Sequence, residues 1–370
     1  MILETFCLGN FRNYKTLDIT PSPNINIIVG DNAQGKTNLL EAIYFLSRGY
    51  SHRANNLQDL AYFGESDFFI KGQVKRQEVV HSLLVKMHQG KKQLLINQKI
   101  EKKAETMASY LNTILFEPED LRIVKAGPEV RRRFMDEEIG GCLPHYTYCL
   151  KRYKKALSQR NSLLKDIRHM PILKETLGAW DEQLVHFGTK IIDYRLAYLK
   201  LLNRYARPLH STLSGDLEHL VMYYQNNVLT SLEEGLDVRG LYYTKLQTNL
   251  KKDMERGTTS VGPHLDDLRI HINDQDAKKF ASQGQQRTAA IALKLSQIEI
   301  YKENTGDYPL VLLDDIMSEL DMERQGRILK LLGKTQAFIT CTESGFSKNL
   351  PQGHIKELRI KAGEILNTKN

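Results

Sequence analysis

Residues 30–37 read Gly30-Asp31-Asn32-Ala33-Gln34-Gly35-Lys36-Thr37, and this stretch decides the fold. It has the form G-x-x-x-x-G-K-[ST] of a P-loop. Before it, Asn26-Ile27-Ile28-Val29 is an apolar, β-branched run that suits a buried strand. After it, Leu39, Ile43 and Leu46 fall at i, i+4, i+7, one stripe of an amphipathic helix. Strand, glycine loop and helix in that order are the context a P-loop needs. The glycines let backbone N–H groups turn onto phosphate oxygens, and the helix N-terminus adds partial positive charge. Lys36 is then expected at the β and γ phosphates and Thr37 on Mg²⁺.

A second motif follows far along the chain. Leu310-Val311-Leu312-Leu313 is a buried-strand pattern ending in Asp314-Asp315, the Walker B arrangement. Asp314 is expected to hold Mg²⁺ and Asp315 to orient or deprotonate the attacking water. From Lys36 to Asp314 is 278 positions, too many for one uninterrupted P-loop domain. Both motifs should share one parallel sheet, so the intervening region reads as an insertion. The expected division is a head formed by 1–122 with 256–370 and a helical arm at 123–255.

The inserted region carries two heptad patterns. Leu143, Leu150, Leu157 and Leu164 occupy one seam position of the first, with Tyr146, Tyr153, Arg160 and Ile167 on the other. The second has Leu177, Leu184, Ile191, Tyr198 and Tyr205 on one position and Trp180, Phe187, Tyr194 and Leu201 on the other. Pro171 interrupts them and Pro208 is expected to stop the second, which predicts an antiparallel helical hairpin. A further helix with the stripe Tyr243, Leu246, Leu250, Met254 ends at Gly257, and residues 66–100 read as an antiparallel meander.

Composition narrows the function classes. With 370 residues, 41% hydrophobic and 26% charged, the chain has the make-up of a folded protein of two or three domains. The net charge of +8 favours a polyanionic partner. No apolar run reaches the roughly 18 residues that span a bilayer, and the first residues lack a signal-peptide core, so the expected setting is cytoplasmic. Four scattered cysteines without a C-x-x-C pair point to free thiols, not zinc or a disulfide framework.

Ser282-Gln283-Gly284-Gln285-Gln286-Arg287 opens a helix. Ser282 with Gln285 three residues on fits a capping box. The same terminus can offer N–H groups and a hydroxyl to a γ-phosphate, and with a P-loop already on the phosphates in cis it would act on a partner subunit's nucleotide.

These motifs resemble a known family. Ser282 to Arg287 is similar to the ABC-type signature, and Asp314-Asp315-Ile316-Met317-Ser318-Glu319-Leu320-Asp321 looks like Walker B plus D-loop. Asn10-Phe11-Arg12-Asn13-Tyr14 resembles the opening of SMC-like ATPase heads. Phe116 to Leu121, Gly127-Pro128 with Arg131 to Asp136, and Gly262 to Leu268 are similar to stretches of the RecF family of bacterial recombination mediators. The resemblance implies an α/β, ABC-type P-loop ATPase head, SMC-like, with an inserted helical arm. It implies ATP and Mg²⁺ as cofactors, ATP-dependent homodimerisation, weak DNA-stimulated ATPase activity, recognition of gapped or junction DNA, and work with RecR and RecO in loading RecA. Arg12 would contact the phosphates, and Ser282, Gln283, Gly284 and Gln285 would complete the partner's site. Two positions depart from the pattern: Leu265 stands where Arg is expected, and Thr340 or Thr342 where many ABC-type enzymes carry a histidine.

For DNA contact the best run is 151–174, with eight basic residues to one acid, led by Lys151, Arg152, Lys154 and Lys155. Arg131, Arg132 and Arg133 suit either DNA or nearby acids. No run interleaves aromatic with basic residues, which favours duplex backbone over single-strand stacking. A transporter subunit and a small-molecule kinase share the P-loop. The basic heptad insertion argues against the first and the Ser282 helix against the second.

Overall fold

The computed structural model describes residues 1–54, 56–167, 169–229, 237–342 and 355–369. Strands run in the order β1 (Ile2–Phe11), β2 (Tyr14–Ile19), β3 (Ile25–Val29), β4 (Phe68–Arg76), β5 (Val79–His88), β6 (Lys91–Ile96), β7 (Lys99–Glu101), β8 (Thr113–Phe116), β9 (Leu220–Gln225), β10 (Asp267–Ile272), β11 (Gln275–Asp276), β12 (Leu310–Leu313), β13 (Ala337–Cys341), β14 (Ile355–Lys361) and β15 (Glu364–Lys369). The chain forms two compact units, 1–120 with 294–370, and 121–293.

In the first unit the sheet β15-β14-β3-β13-β12-β8 is parallel except for β15. Its register aligns Val29 with Cys341 and Leu313 with both Ile339 and Phe116. The residues that follow these strands, Gly30, Asp314 and Glu117, therefore emerge on one carboxyl edge, where ligands of open α/β sheets bind. A second, antiparallel sheet has the order β2-β1-β4-β5-β6-β7. Gly72 lies inside β4, and the first turn of the meander is at Gln77-Glu78. The helix Lys36–Arg48 buries Leu39, Leu40, Ala42, Ile43, Phe45 and Leu46 in one core with side chains of both sheets. Its apolar surface is thus wider than the single stripe read from the sequence.

The second unit holds the helices Pro128–Cys142, Pro144–Asp166, Leu177–Ser214 and Val238–Arg256 and the antiparallel sheet β11-β10-β9. Residues 256–293, expected with the head, group with the helices. β10 pairs along its whole length with β9, and Arg131 makes a buried two-pronged ion pair to Asp267 (2.7 and 2.9 Å).

The hairpin forms, but its seam differs from expectation. The 144–166 helix buries Tyr146, Cys149, Tyr153, Ala156, Arg160 and Leu164, while Leu150 and Leu157 are only half-buried. The cause is a third helix: 238–256 packs on both others and contributes Tyr242, Leu246 and Asp253, with Tyr243 turned outward. Arg160 is fully buried, paired with Asp181 (2.6 Å) and Asp253 (2.8 Å) and bonded to Thr259 (2.9 Å), so it does not belong to a solvated basic face. Pro208 does not stop the second helix, which continues to Ser214 and ends at left-handed Gly215. Pro208 itself is exposed, and burial of His210 and Leu213 beyond it offsets the hydrogen bond its ring removes.

Candidate functional site

The P-loop is braced from two sides. Asn13 Nδ2, from the β1–β2 turn, donates to Gln34 O (2.9 Å), and Tyr14 OH, at the start of β2, donates to Gly35 O (2.9 Å). From the β14–β15 turn, Ala362 N donates to Gln34 Oε1 (2.7 Å) and Gly363 N to Gln34 O (3.1 Å). Gly35 has φ +115° and packs on Asn13, so a side chain there would be strained and crowded. Gly30 lies against Ile360 O with no room for a Cβ. Lys36 Nζ bonds Gly30 O (2.6 Å) and Asp31 O (3.0 Å), which holds the ammonium across the loop. Asp31, Asn32 and Ala33 form the exposed crest, with Ala33 left-handed at φ 65°.

Thr37 Oγ1 donates to Asp314 Oδ1 across 3.0 Å, joining the two motifs. Adjacent ligands of octahedral Mg²⁺ with bonds of 2.0–2.1 Å lie about 2.9 Å apart, so these two hard oxygens fit that ion. Thr37 and Asp314 would hold it, and it would neutralise phosphate charge. Among the described residues no group of three or more His, Cys, Asp and Glu is arranged to hold a metal by itself. Burial pushes the Asp314 carboxyl up, and the charge of Glu117 adds to this; hydrogen bonds from Thr37 and Thr340 only partly offset it. A bound cation would relieve that cost.

Asp315 is half-buried and left-handed at φ 53°, a strained conformation for a non-glycine residue, at the carboxyl edge of the sheet. Its N–H donates to Thr340 Oγ1 (2.8 Å), and Thr340 donates to Asp314 Oδ1 (2.9 Å). Thr340 is therefore part of the carboxylate cluster, whereas Thr342 is exposed.

Arg12, the expected phosphate contact, is anchored within the protein. It makes a two-pronged ion pair with buried Glu41 (2.9 and 2.7 Å), and its Nη1 donates to Asp59 O (2.8 Å). Burial pushes the Glu41 carboxyl up, but hydrogen bonds from Arg12 and Ser51 and the charges of Arg12 and Arg53 outweigh this and hold it below its ordinary value. Sequence reasoning also missed His52, whose Nε2 lies 2.9 Å from Glu117 Oε1 at the same edge. The available signals were Glu41 between apolar helix positions and Glu117 directly after the apolar run Ile114-Leu115-Phe116.

In the second unit, the helix Gln283–Thr305 begins with the capping box. Ser282 N donates to Gln285 Oε1 (2.8 Å) and Gln285 N to Ser282 Oγ (3.2 Å). Ser282, Gln283 and Gly284 are exposed and Gln285 is half-buried. The Ser282 hydroxyl hydrogen has no acceptor among the described residues and is available to a ligand. Lys151, Arg152, Lys154 and Lys155 are all exposed on the 144–166 helix, with Arg152 over the Phe187 ring, and Arg168 lies outside the described residues. Arg131 is held by Asp267, Arg132 donates to Asp266 O (2.7 Å), and Arg133 pairs with Glu137 (2.7 Å). Leu265 is exposed.

Residues 2–358 match the family described as RecF/RecN/SMC N terminal domain. The DNA replication and repair protein RecF of Lactobacillus gasseri is 42% identical over 372 residues, covering 99% of each chain. A solved structure of the recombination mediator protein RecF with ATP superposes with a TM-score of 0.91 at 35% identity, covering 100% of this chain and 98% of that one. The Smc head domain of Pyrococcus furiosus, at 16% identity and a TM-score of 0.56 over 98% of this chain and 95% of that one, agrees in fold. The first unit thus carries the ABC-type ATPase architecture. Likeness of this degree along nearly the full length settles the kinship: the chain belongs to the RecF family of DNA replication and repair proteins.

Proposed function

We propose that this chain is an ATP-gated DNA clamp of gap repair. ATP with Mg²⁺ occupies the loop 30–37, Thr37 and Asp314 hold the metal, and Asp315 orients water for slow, DNA-stimulated hydrolysis. Ser282 to Gln285 of a second copy close over the γ-phosphate, so ATP drives a two-fold homodimer with Asp321 at its interface. The exposed basic face at Lys151, Arg152, Lys154 and Lys155 meets the backbone of gapped or junction DNA. Through the family, the partners are RecR, with RecO and RecA downstream. The observation that carries the reading is the 3.0 Å contact of Thr37 with Asp314, which unites two distant motifs in one cation-ready pair. The RecF structure solved with ATP, described as part of the RecFOR pathway, supports the choice of nucleotide and pathway.

The test is sedimentation with ATP or ADP, with and without gapped DNA. A dimer formed with ATP alone, and retained on DNA, is the expected result. A monomer under all conditions, or a dimer indifferent to nucleotide, overturns the gate.

A further inference from the structure

Gly9, Phe69 and Lys86 stand side by side on three neighbouring strands of the antiparallel sheet. The register pairs Gly9 with Phe69 and Phe69 with Lys86, and on the other side Gly9 pairs with Thr16. Phe69 points to solvent and is 42% exposed, although the ring before it, Phe68, is buried. Its ring lies against Gly9, where an added Cβ would overlap it, so one side of the ring rests on backbone while part of it stays open to solvent.

Cations surround the open part of the ring. Lys86 is directly across, Lys71 is two residues along β4 on the same side, and Lys15 lines the groove from β2. None of the three pairs with an acid among the described residues. Asp67, which also lines the groove, is held in contact with His88, and Asp18 lies opposite Cys7. The groove has a volume of about 440 Å³ and opens to solvent, within the ~300–1,000 Å³ of ligand sites. A protein partner fits it less well, because lysine is depleted at protein interfaces. An aromatic face flanked by flexible cations is what an unstacked base and its phosphates require.

We propose that this groove binds an unpaired nucleotide of single-stranded DNA, the base stacking on Phe69 and the phosphates meeting Lys15 and Lys86. The choice of DNA rests on the clamp reading, whereas the groove itself needs neither ATP nor the basic helix. A single strand would here be held by stacking, whereas the basic helix meets only backbone charge. The sheet register assembles from three separate strands a platform that no continuous run of sequence displays.

The test uses the full chain and a fluorescein-labelled oligothymidylate, read by anisotropy. Phe69→Ala should bind about tenfold more weakly or worse, and Phe69→Tyr should bind like the parent. Lys86→Glu should weaken binding and flatten its salt slope. An oligomer carrying 5-iododeoxyuridine should photocross-link at Phe69. ATP-dependent dimerisation and duplex binding, measured on the same variants, should stay at parental levels, so failure of the groove and failure of the clamp are told apart. Parental single-strand affinity in Phe69→Ala, or cross-links elsewhere, overturns the proposal. Equal competition by free thymidine monophosphate also overturns it, in favour of a mononucleotide site.

Discussion

Thr340 Oγ1 lies 2.9 Å from Asp314 Oδ1 and accepts the N–H of Asp315 at 2.8 Å. One hydroxyl on the strand between the P-loop and Walker B strands thus positions both carboxylates. Thr340→Val keeps the shape and removes both bonds. The Asp315 N–H is left without its partner and Asp314 loses a hydrogen bond that lowers its pKa. The expected loss is about 1–3 kcal/mol in denaturant unfolding. Tight ATP binding should also require more Mg²⁺, read in a magnesium titration.

Asp315→Asn keeps the size and removes the charge. ATP binding should persist while hydrolysis slows by one to several orders of magnitude, in the range about 10²–10⁴-fold for loss of a positioned base. The ATP-bound dimer should therefore outlive that of the parent. Parental turnover would assign the water to another carboxylate of that edge, such as Asp314 or Glu117.

The basic run separates into two physical kinds. Replacing exposed Lys151, Arg152, Lys154 and Lys155 with Glu should leave unfolding nearly unchanged, weaken DNA binding with little sequence dependence, and flatten the salt slope. Arg160→Ala, by contrast, leaves Asp181 and Asp253 buried without their cation. It should cost about 3–5 kcal/mol of stability. Denaturant midpoints and salt titrations together distinguish the two.

The shared-site model predicts complementation between two inactive variants. Lys36→Ala loses the phosphate-directed ammonium and should bind ATP very weakly. Ser282→Arg should bind ATP as a monomer but not dimerise. In a mixed dimer one site joins intact Lys36 with intact Ser282, and some ATPase activity should return. Proven mixed dimers without any recovery would sink the model.

Asp266 supplies a pH test. Burial raises its carboxyl from 3.8 to about 6, and the bonds from Tyr224 and Arg195 only partly oppose this. Because the folded state holds that proton more tightly, the stability Asp266 contributes is complete below the unfolded value near 4. It is lost as pH rises through about 6. Asp266→Asn should abolish this component. Unfolding free energies at pH 4.5 and 7.5, compared between parent and variant, should differ in slope with that sign.

How much was legible follows from the range of each interaction. The loop 30–37 could be read because strand, glycine turn and helix are adjacent in sequence, and the capping box because Ser282 and Gln285 are three residues apart. The seam of the 144–166 helix was ambiguous because leucines and tyrosines both repeat every seven residues. Only the third helix, supplying Asp253 and Tyr242, selects the face with Tyr153 and Arg160. Arg160 reads as a solvated cation until Asp181 and Asp253 are known to meet it. The pairing of Arg12 with Glu41 was likewise invisible, because 29 positions separate them. Residues 256–293 lie next to the head's last segment in sequence, yet the pairing of β10 with β9 fixes their grouping.

The bracing of the P-loop has a consequence in time. Its strand β3 is paired on one side by β13 and on the other by β14, and Gln34 is held by Ala362 and Gly363. A growing chain therefore makes its nucleotide loop within the first forty residues, with Asn13 and Tyr14 already at hand, but cannot complete its bracing until residues 337–363 have left the ribosome. Competence for ATP is acquired last in synthesis, so a chain interrupted before that point carries the motif without the means to use it.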